Sequence, residues 1–265
     1  MRKGVCAAIV AVVIGLGANV TWAEEFPDGW ALRVGGFLVR NYDTTIRLDA
    51  AGQPLGATID FGDTLGGEAS ANVARVDGYY RFSPKHRLDA SYYRVQRQGS
   101  RRLDVDIQWG DQSFLINDVV DSEIDSGVVK LGYTYSFYHN DDVELGVSAG
   151  LHTSIVRASL SSTTGQSEAE SVTAPLPVVG FLMDYHITPR WTTKLSAQYF
   201  FFSAFGIRGL LTDAILATEY RFTRHLGAGI GLNHYANGVE YEGDNAVLTE
   251  RSAFTGFLAY VSASY

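Results

Sequence analysis

From residue 30 onward the chain alternates apolar and polar side chains through ten successive stretches, and the alternation runs to the last residue. In the final stretch Phe257, Ala259, Val261, Ala263 and Tyr265 fall on one face. A period of two is that of a β-strand, whose side chains point alternately to opposite sides of the sheet. No stretch shows a convincing helical period, and no Pro/Ser-rich linker or low-complexity tract divides the chain. One continuous all-β domain is the expectation.

The parity can be followed strand by strand. The first places Trp30, Leu32, Val34 and Leu38 on the apolar face with Arg33 opposite, and the second places Val76, Tyr80 and Phe82 against Arg75, Asp77 and Arg81. The third and fourth oppose Leu88, Ala90 and Tyr92 to Asp89, Ser91 and Tyr93, then Val129, Leu131, Tyr133, Tyr135 and Phe137 to Lys130, Thr134 and Ser136. The fifth and sixth oppose Val143, Leu145, Val147, Ala149 and Leu151 to Glu144, Ser148 and His152, then Val179, Phe181, Met183, Tyr185 and Ile187 to Gly180, Asp184 and His186. The seventh to ninth repeat the scheme, with Lys194, Gln198, Asp213, Glu219 and Arg221 on the polar side and Gly227, Gly229 and Gly231 opposite Ala228, Ile230 and Leu232.

Four tight turns, at 83–86, 139–142, 188–190 and 223–225, alternate with longer polar links at 49–70, 99–121, 161–173, 203–209 and 242–250. Aromatic residues flank the tight turns. Short turns at one end, long loops at the other and an aromatic girdle are the marks of an antiparallel up-and-down transmembrane β-barrel, here with ten strands and eight as the alternative. A soluble barrel or sandwich would share the periodicity with its apolar face turned inward. The start of the chain favours the membrane.

Arg2 and Lys3, an apolar run from Val5 to Val20, and Thr21-Trp22-Ala23 read as an export signal of residues 1–23, leaving 24–265 as the barrel. The run is shorter than the roughly 20 residues a membrane-spanning helix needs. Cys6, the only cysteine, leaves with the signal, so no disulfide is expected in the mature chain. Removing Arg2 and Lys3 leaves 19 basic against 29 acidic residues and moves the net charge from −8 to −10, which argues against a nucleic-acid partner.

The closing Phe257-Leu258-Ala259-Tyr260-Val261-Ser262-Ala263-Ser264-Tyr265 is similar to the terminal signal read by the barrel-assembly machinery, with Tyr where Phe is usual. With the signal and the strand pattern, it makes the whole mature chain resemble the small bacterial outer-membrane β-barrels, in the manner of the OmpA transmembrane domain and OmpW-like proteins. The resemblance implies the cell outer membrane, contact with its lipid and lipopolysaccharide, and recognition of Tyr265 by the assembly machinery. It implies a non-enzymatic barrel serving as small-solute channel or structural element. A surface interaction or adhesion protein is the alternative, and a lipid A-modifying enzyme a remote one.

Candidate chemistry is sparse. Asn233-His234-Tyr235-Ala236-Asn237-Gly238 resembles the His-x-Ser-Asn segment of lipid A deacylases, but Ala236 stands at the nucleophile position and a methyl group cannot attack an ester. The omptin proteases need Asp-His pairs at the outer rim. Here Asp104, Asp106, Asp118, Asp121, Glu123 and Asp125 have no neighbouring histidine and read as a solvated rim, with divalent cations as candidate partners. His86, His139, His152, His186 and His225 have no metal-ligand spacing. The alternate glycines 227, 229 and 231 are expected to admit close packing. No catalytic, cofactor-binding or metal-binding residue is assigned.

The polar face predicts a lumen closed by ion pairs. Folding about Pro189 sets Asp184 opposite Lys194 as Ile187 meets Trp191, brings Glu219 near Lys194 with Arg221 one inward position along, and on an earlier hairpin pairs Arg81 with Asp89. Leu103, Val105, Ile107 and Trp109 continue the alternation, so the third and fourth strands are expected to project as a rigid ribbon.

Overall fold

The computed structural model describes residues 29–50, 58–67, 71–109, 112–204, 207–242 and 246–265. The expected export signal and its cleavage site lie outside these residues. In chain order the strands are β1 (Trp30–Ala50), β2 (Thr58–Asp60), β3 (Ala71–Ser83), β4 (His86–Arg102), β5 (Ile107–Trp109), β6 (Gln112–Phe114), β7 (Val119–His139), β8 (Val143–Ser162), β9 (Ser167–Thr188), β10 (Trp191–Ala204), β11 (Ile207–Arg221), β12 (Leu226–Glu242) and β13 (Ala246–Ser264). Ten of them, all but β2, β5 and β6, form a closed antiparallel barrel in which β1 seals the ring against β13.

Exposure shows which face is which. Outward Leu38, Phe201, Ile230 and Val261 are 52, 65, 65 and 62% exposed, whereas inward Phe37 and Leu211 are 1 and 0% exposed. A soluble barrel would have the reverse assignment, and an apolar belt of this extent is stable only against lipid.

The belt has a visible upper edge. On β4 the outward positions change from Leu88, Ala90 and Tyr92 to Arg94, Gln96 and Gln98, and on the paired β7 they change from Val129 to Asp125, Glu123 and Asp121. On β8 they change from Ile155 to Arg157, Ser159 and Ser161. A tilted membrane strand needs about 9–11 residues. β7, β8 and β9 have 21, 20 and 22, so about half of each stands above the lipid as polar wall.

That height corrects the expectation for the loops. The link expected at 161–173 is reduced to residues 163–166, and the strands adjoining 203–209 and 242–250 likewise extend into those stretches. Above the lipid the outward side chains become polar, so the sequence loses its contrast while the backbone ladder continues.

At the opposite end the turns are closed by short side chains. The Asn140 side-chain Oδ1 accepts from the N–H of Val143 at 2.7 Å, and the Thr188 and Thr223 hydroxyls accept from the N–H groups of Trp191 and Leu226 at 3.0 Å each. Trp191, Tyr220 and Phe222 pack in the girdle with centroids 4.9 and 5.8 Å apart. Tyr265 exchanges two 3.0 Å backbone bonds with Trp30 and stacks on the His225 ring, so the last residue closes the seam.

Two local expectations change. A bulge at Trp191 pairs it with Thr188 instead of Ile187, although Lys194 still faces Asp184. The ribbon beyond Arg102 does not stay extended: Leu103 and Ile107 turn inward and are buried, Val105 remains exposed, and β5 and β6 form a small separate hairpin.

Candidate functional site: the filled lumen and its outer mouth

The half of the lumen nearer the tight turns is an ion-pair lattice. Arg33 lies 3.3 Å from both Asp77 and Glu219, Arg75 is 3.0 Å from Asp77, and Arg87 is 3.0 Å from Asp89. Arg81 reaches both oxygens of Glu144 at 2.8 Å, and the Ser136 hydroxyl donates to the same carboxylate. The guanidinium groups of Arg33, Arg81 and Arg87 surround the Tyr79 ring at 5.8, 5.8 and 4.7 Å.

The expected Asp184–Lys194 pair is present at 3.4 Å. Arg81–Asp89 is not: the register sets Arg81 opposite Arg87 and Asp89 opposite Tyr79, so Arg81 crosses to Glu144 while Asp89 takes Arg87 and a 2.6 Å bond from Thr134. Glu219 lies near Lys194 as expected, and its hydrogen bond goes to Arg33, which ring closure brings to it from 186 positions away. Gly229 lies under the Tyr260 ring, where a Cβ would come within 2.3 Å of ring carbon, which bears out the expected close packing of the alternate glycines.

Midway up, Lys130 pairs with Asp213, which also accepts from Asn233 Nδ2 at 2.9 Å. His152 bonds Gln198 at 2.6 Å. A cavity of about 150 Å³ lies among Arg33, Arg75, Asp77, Arg87, Lys130 and Asp184. Its size and polar lining suit ordered water. Arg75 Nη1 and Ser91 Oγ have no protein partner here and are donors for such waters.

Above this the lumen turns apolar. Phe37, Tyr42, Tyr93, Val178, Leu211, Tyr235 and Phe254 form one buried cluster, with Phe254 stacked on Phe37 at 5.6 Å and on Tyr235 at 5.1 Å. Over it, Arg97 is sandwiched between the rings of Tyr42 and Phe61 at 4.4 and 4.6 Å and donates to Thr44 and to the Tyr42 carbonyl. Phe61 and Leu65 from the first outer loop join Leu103, Ile107 and Phe114 from the second and Val120 and Leu160 of the wall in a second cluster at the mouth. The loop lies so close to β4 at Gly99 that a Cβ there would stand 2.6 Å from the Leu65 carbonyl. Glu250, above the lipid belt, accepts from Ser252 and Asn237, and burial lifts its carboxyl above the ordinary 4.5.

The outer carboxylates are largely engaged. Asp104 pairs with Arg101, Asp106 and Asp118 accept backbone N–H groups, and the Arg94 guanidinium bonded to Asp125 holds that carboxyl below its usual range. Among the described residues no group of three or more His, Cys, Asp or Glu is arranged to hold a metal. His234 faces outward and bonds Thr255 at 3.0 Å, one residue from the buried Asn233.

No protein-family model matches the chain, and no curated protein matches it in sequence. Solved structures do. The outer membrane protease OmpT from Escherichia coli superposes with a TM-score of 0.56 at 10% identity, covering 90% of this chain and 97% of that one. The transport unit of the autotransporter AIDA-I from Escherichia coli gives 0.42 at 10% over 93% of each, and Ail of Yersinia pestis gives 0.37 at 13% over 88% of this chain and 99% of its own. At 10% identity the likeness to the protease is one of fold. With the closed ten-stranded barrel and its lipid belt, it places the chain in the bacterial outer membrane.

Proposed function

We propose that this chain is a non-conducting, non-enzymatic outer-membrane barrel that serves as a structural element and presents a tall polar wall at the cell surface. The apolar layer of Phe37, Tyr42, Tyr93, Leu211, Tyr235 and Phe254 carries this reading, because it spans the lumen between the ion-pair lattice below and the mouth cluster above. A solute would have to displace all three. Barrels of about eight strands are filled by their own side chains, and ten strands stay near that limit.

The protease in the comparison is a barrel of similar shape, and the proposal departs from its activity. His152 is engaged with Gln198 in the mid-lumen and His234 faces outward, so neither stands beside a carboxylate of the mouth. The second reading, surface interaction through the wall and outer hairpins, draws support from the height of β7, β8 and β9.

Planar-bilayer recording tests the first reading. The wild type should be silent, and Tyr235→Ala with Phe254→Ala should stay silent, since the ion-pair lattice and the mouth cluster each still close the lumen. A wild-type pore as wide as a general porin's would overturn the proposal.

A further inference from the structure

The barrel wall has an unpaired seam. β9 is bonded to β8 without interruption from Val143↔Tyr185 to Ser161↔Ser167, but its ladder to β10 stops at Val179↔Tyr199. β10 continues to Ala204 bonded only to β11. Above Val179 and Tyr199 the two strands therefore face each other with no ladder between them. Among the described residues two other strands run past a ladder: β1 above Val39↔Ala71, where β2 pairs with Thr45–Arg47, and β4 above Ala74↔Arg94, where residues 61–67 lie against the edge through the Gly67–Gly99 bridge. The β9–β10 seam has no such patch among the described residues.

Two prolines give the cause. Successive residues of a strand direct their N–H groups to opposite neighbours, and proline has none. Pro175 and Pro177 share a parity and stand inside the intact ladder to β8, so their nitrogens point toward β10. A broken ladder at the lipid boundary ordinarily leaves donors unsatisfied. On the β9 side two of those donors are absent, which lowers the cost of the break and hinders an extended peptide from pairing with β9.

The seam joins two apolar surfaces. Outside it, Val179, Tyr199 and Phe201 are 63, 49 and 65% exposed at the upper edge of the lipid belt. Inside it, Leu176 on β9 and Phe200 on β10 pack against the apolar layer of the lumen, and the Phe200 ring occupies space that a side chain at Gly209 would fill. Phe202 stacks on Phe200 at 6.3 Å. No charged side chain is found among these residues.

We propose that the β9–β10 seam is a lateral binding site for one acyl chain of an outer-leaflet lipid, with the end of the chain between Leu176 and Phe200. Its surroundings supply the ligand, its lining is apolar, and its edge is disabled for strand pairing. The inference stands independently of whether the lumen conducts.

The test uses the purified barrel in phosphatidylcholine vesicles containing a phosphatidylcholine with a diazirine at the end of one acyl chain. After photolysis, adducts are mapped by mass spectrometry. Adducts on inward-facing Leu176 and Phe200, in addition to outward Val179 and Phe201, are expected. Labelling confined to outward-facing side chains overturns the proposal and leaves the seam to a protein partner. Pro175→Val with Pro177→Val restores the donors and should remove the inward adducts while outward labelling persists. Inward adducts that survive in a variant retaining the barrel's heat-dependent mobility shift would place the route elsewhere and also overturn it. Should the variant fail to assemble, the wild-type pattern decides alone.

Discussion

Lys130 and Asp213 are brought together across the lumen from strands 83 positions apart, and their side chains are 9 and 2% exposed. Substituting Lys130→Met keeps an unbranched side chain and removes the charge together with the ammonium's contact over the Tyr93 ring, leaving the Asp213 carboxylate with Asn233 as its remaining side-chain hydrogen-bond donor. Removing one partner of a buried pair costs about 3–5 kcal/mol, because the survivor is desolvated without compensation. At about 1.4 kcal/mol per tenfold change, the unfolding equilibrium should rise by roughly two to three and a half orders of magnitude. The assay is reversible urea unfolding in lipid vesicles, followed by tryptophan fluorescence. Replacing both partners, with Lys130→Met and Asp213→Leu, should recover most of the loss, since a buried pair is often matched by apolar residues of similar volume. A single-variant cost below about 1 kcal/mol, the value of a solvated surface pair, would refute the reasoning and mean that Arg75 and the adjoining cavity compensate the surviving carboxylate.

Arg97→Met should release the first outer loop from the mouth, so external protease should cut within 61–67 much faster than in wild type while the barrel keeps its heat-dependent mobility shift; unchanged cleavage would show that the stacked guanidinium does not hold the lid. Tyr265→Asp should lower the yield of assembled barrel in the outer membrane, since it puts a carboxylate at the lipid boundary beside His225, and normal yield would remove the proposed role of the terminus in assembly. Glu250→Gln should raise the thermal midpoint at pH 7. The raised carboxyl of Glu250 means that the folded state binds the proton more tightly than the unfolded one, so stability is lost as pH rises through the ordinary 4.5, and the variant's advantage should vanish below it. Its surroundings are Ser252, Asn237, Tyr42 and Tyr235, none of which supplies a positive charge, and a Glu250→Gln midpoint below wild type at pH 7 would reverse the assignment.

The strand sequence, the face of each strand and the tight turns were legible because lipid imposes a binary choice on every outward position. Val129, Leu131 and Tyr133 cannot exchange places with Lys130 and Thr134 without putting a charge into lipid. Where lipid ends, that discipline ends too. Ser159 and Ser161 on β8 and Ser171 on β9 are outward residues of a continuous wall, yet their polarity reads as loop. Pro175 and Pro177 also sit in β9, whose edge toward β8 is fully bonded.

The lumen divides along a different line. Asp184 and Lys194 lie on one hairpin, ten positions apart, so folding about the turn at Pro189 was enough to pair them. Arg81 with Glu144, Lys130 with Asp213 and Arg33 with Glu219 are separated by 63, 83 and 186 positions and meet only across the closed ring. Which pairs form there depends on the stagger of the strands as the barrel closes, a property of the whole sheet that no single hairpin carries. The apolar layer was hidden for a related reason. Phe37, Tyr93 and Phe254 occupy the face expected to be polar, and on any one strand such a residue reads as an exception. Only the closed ring places them at one height, where together with Tyr235 they form an apolar layer within a charged lumen.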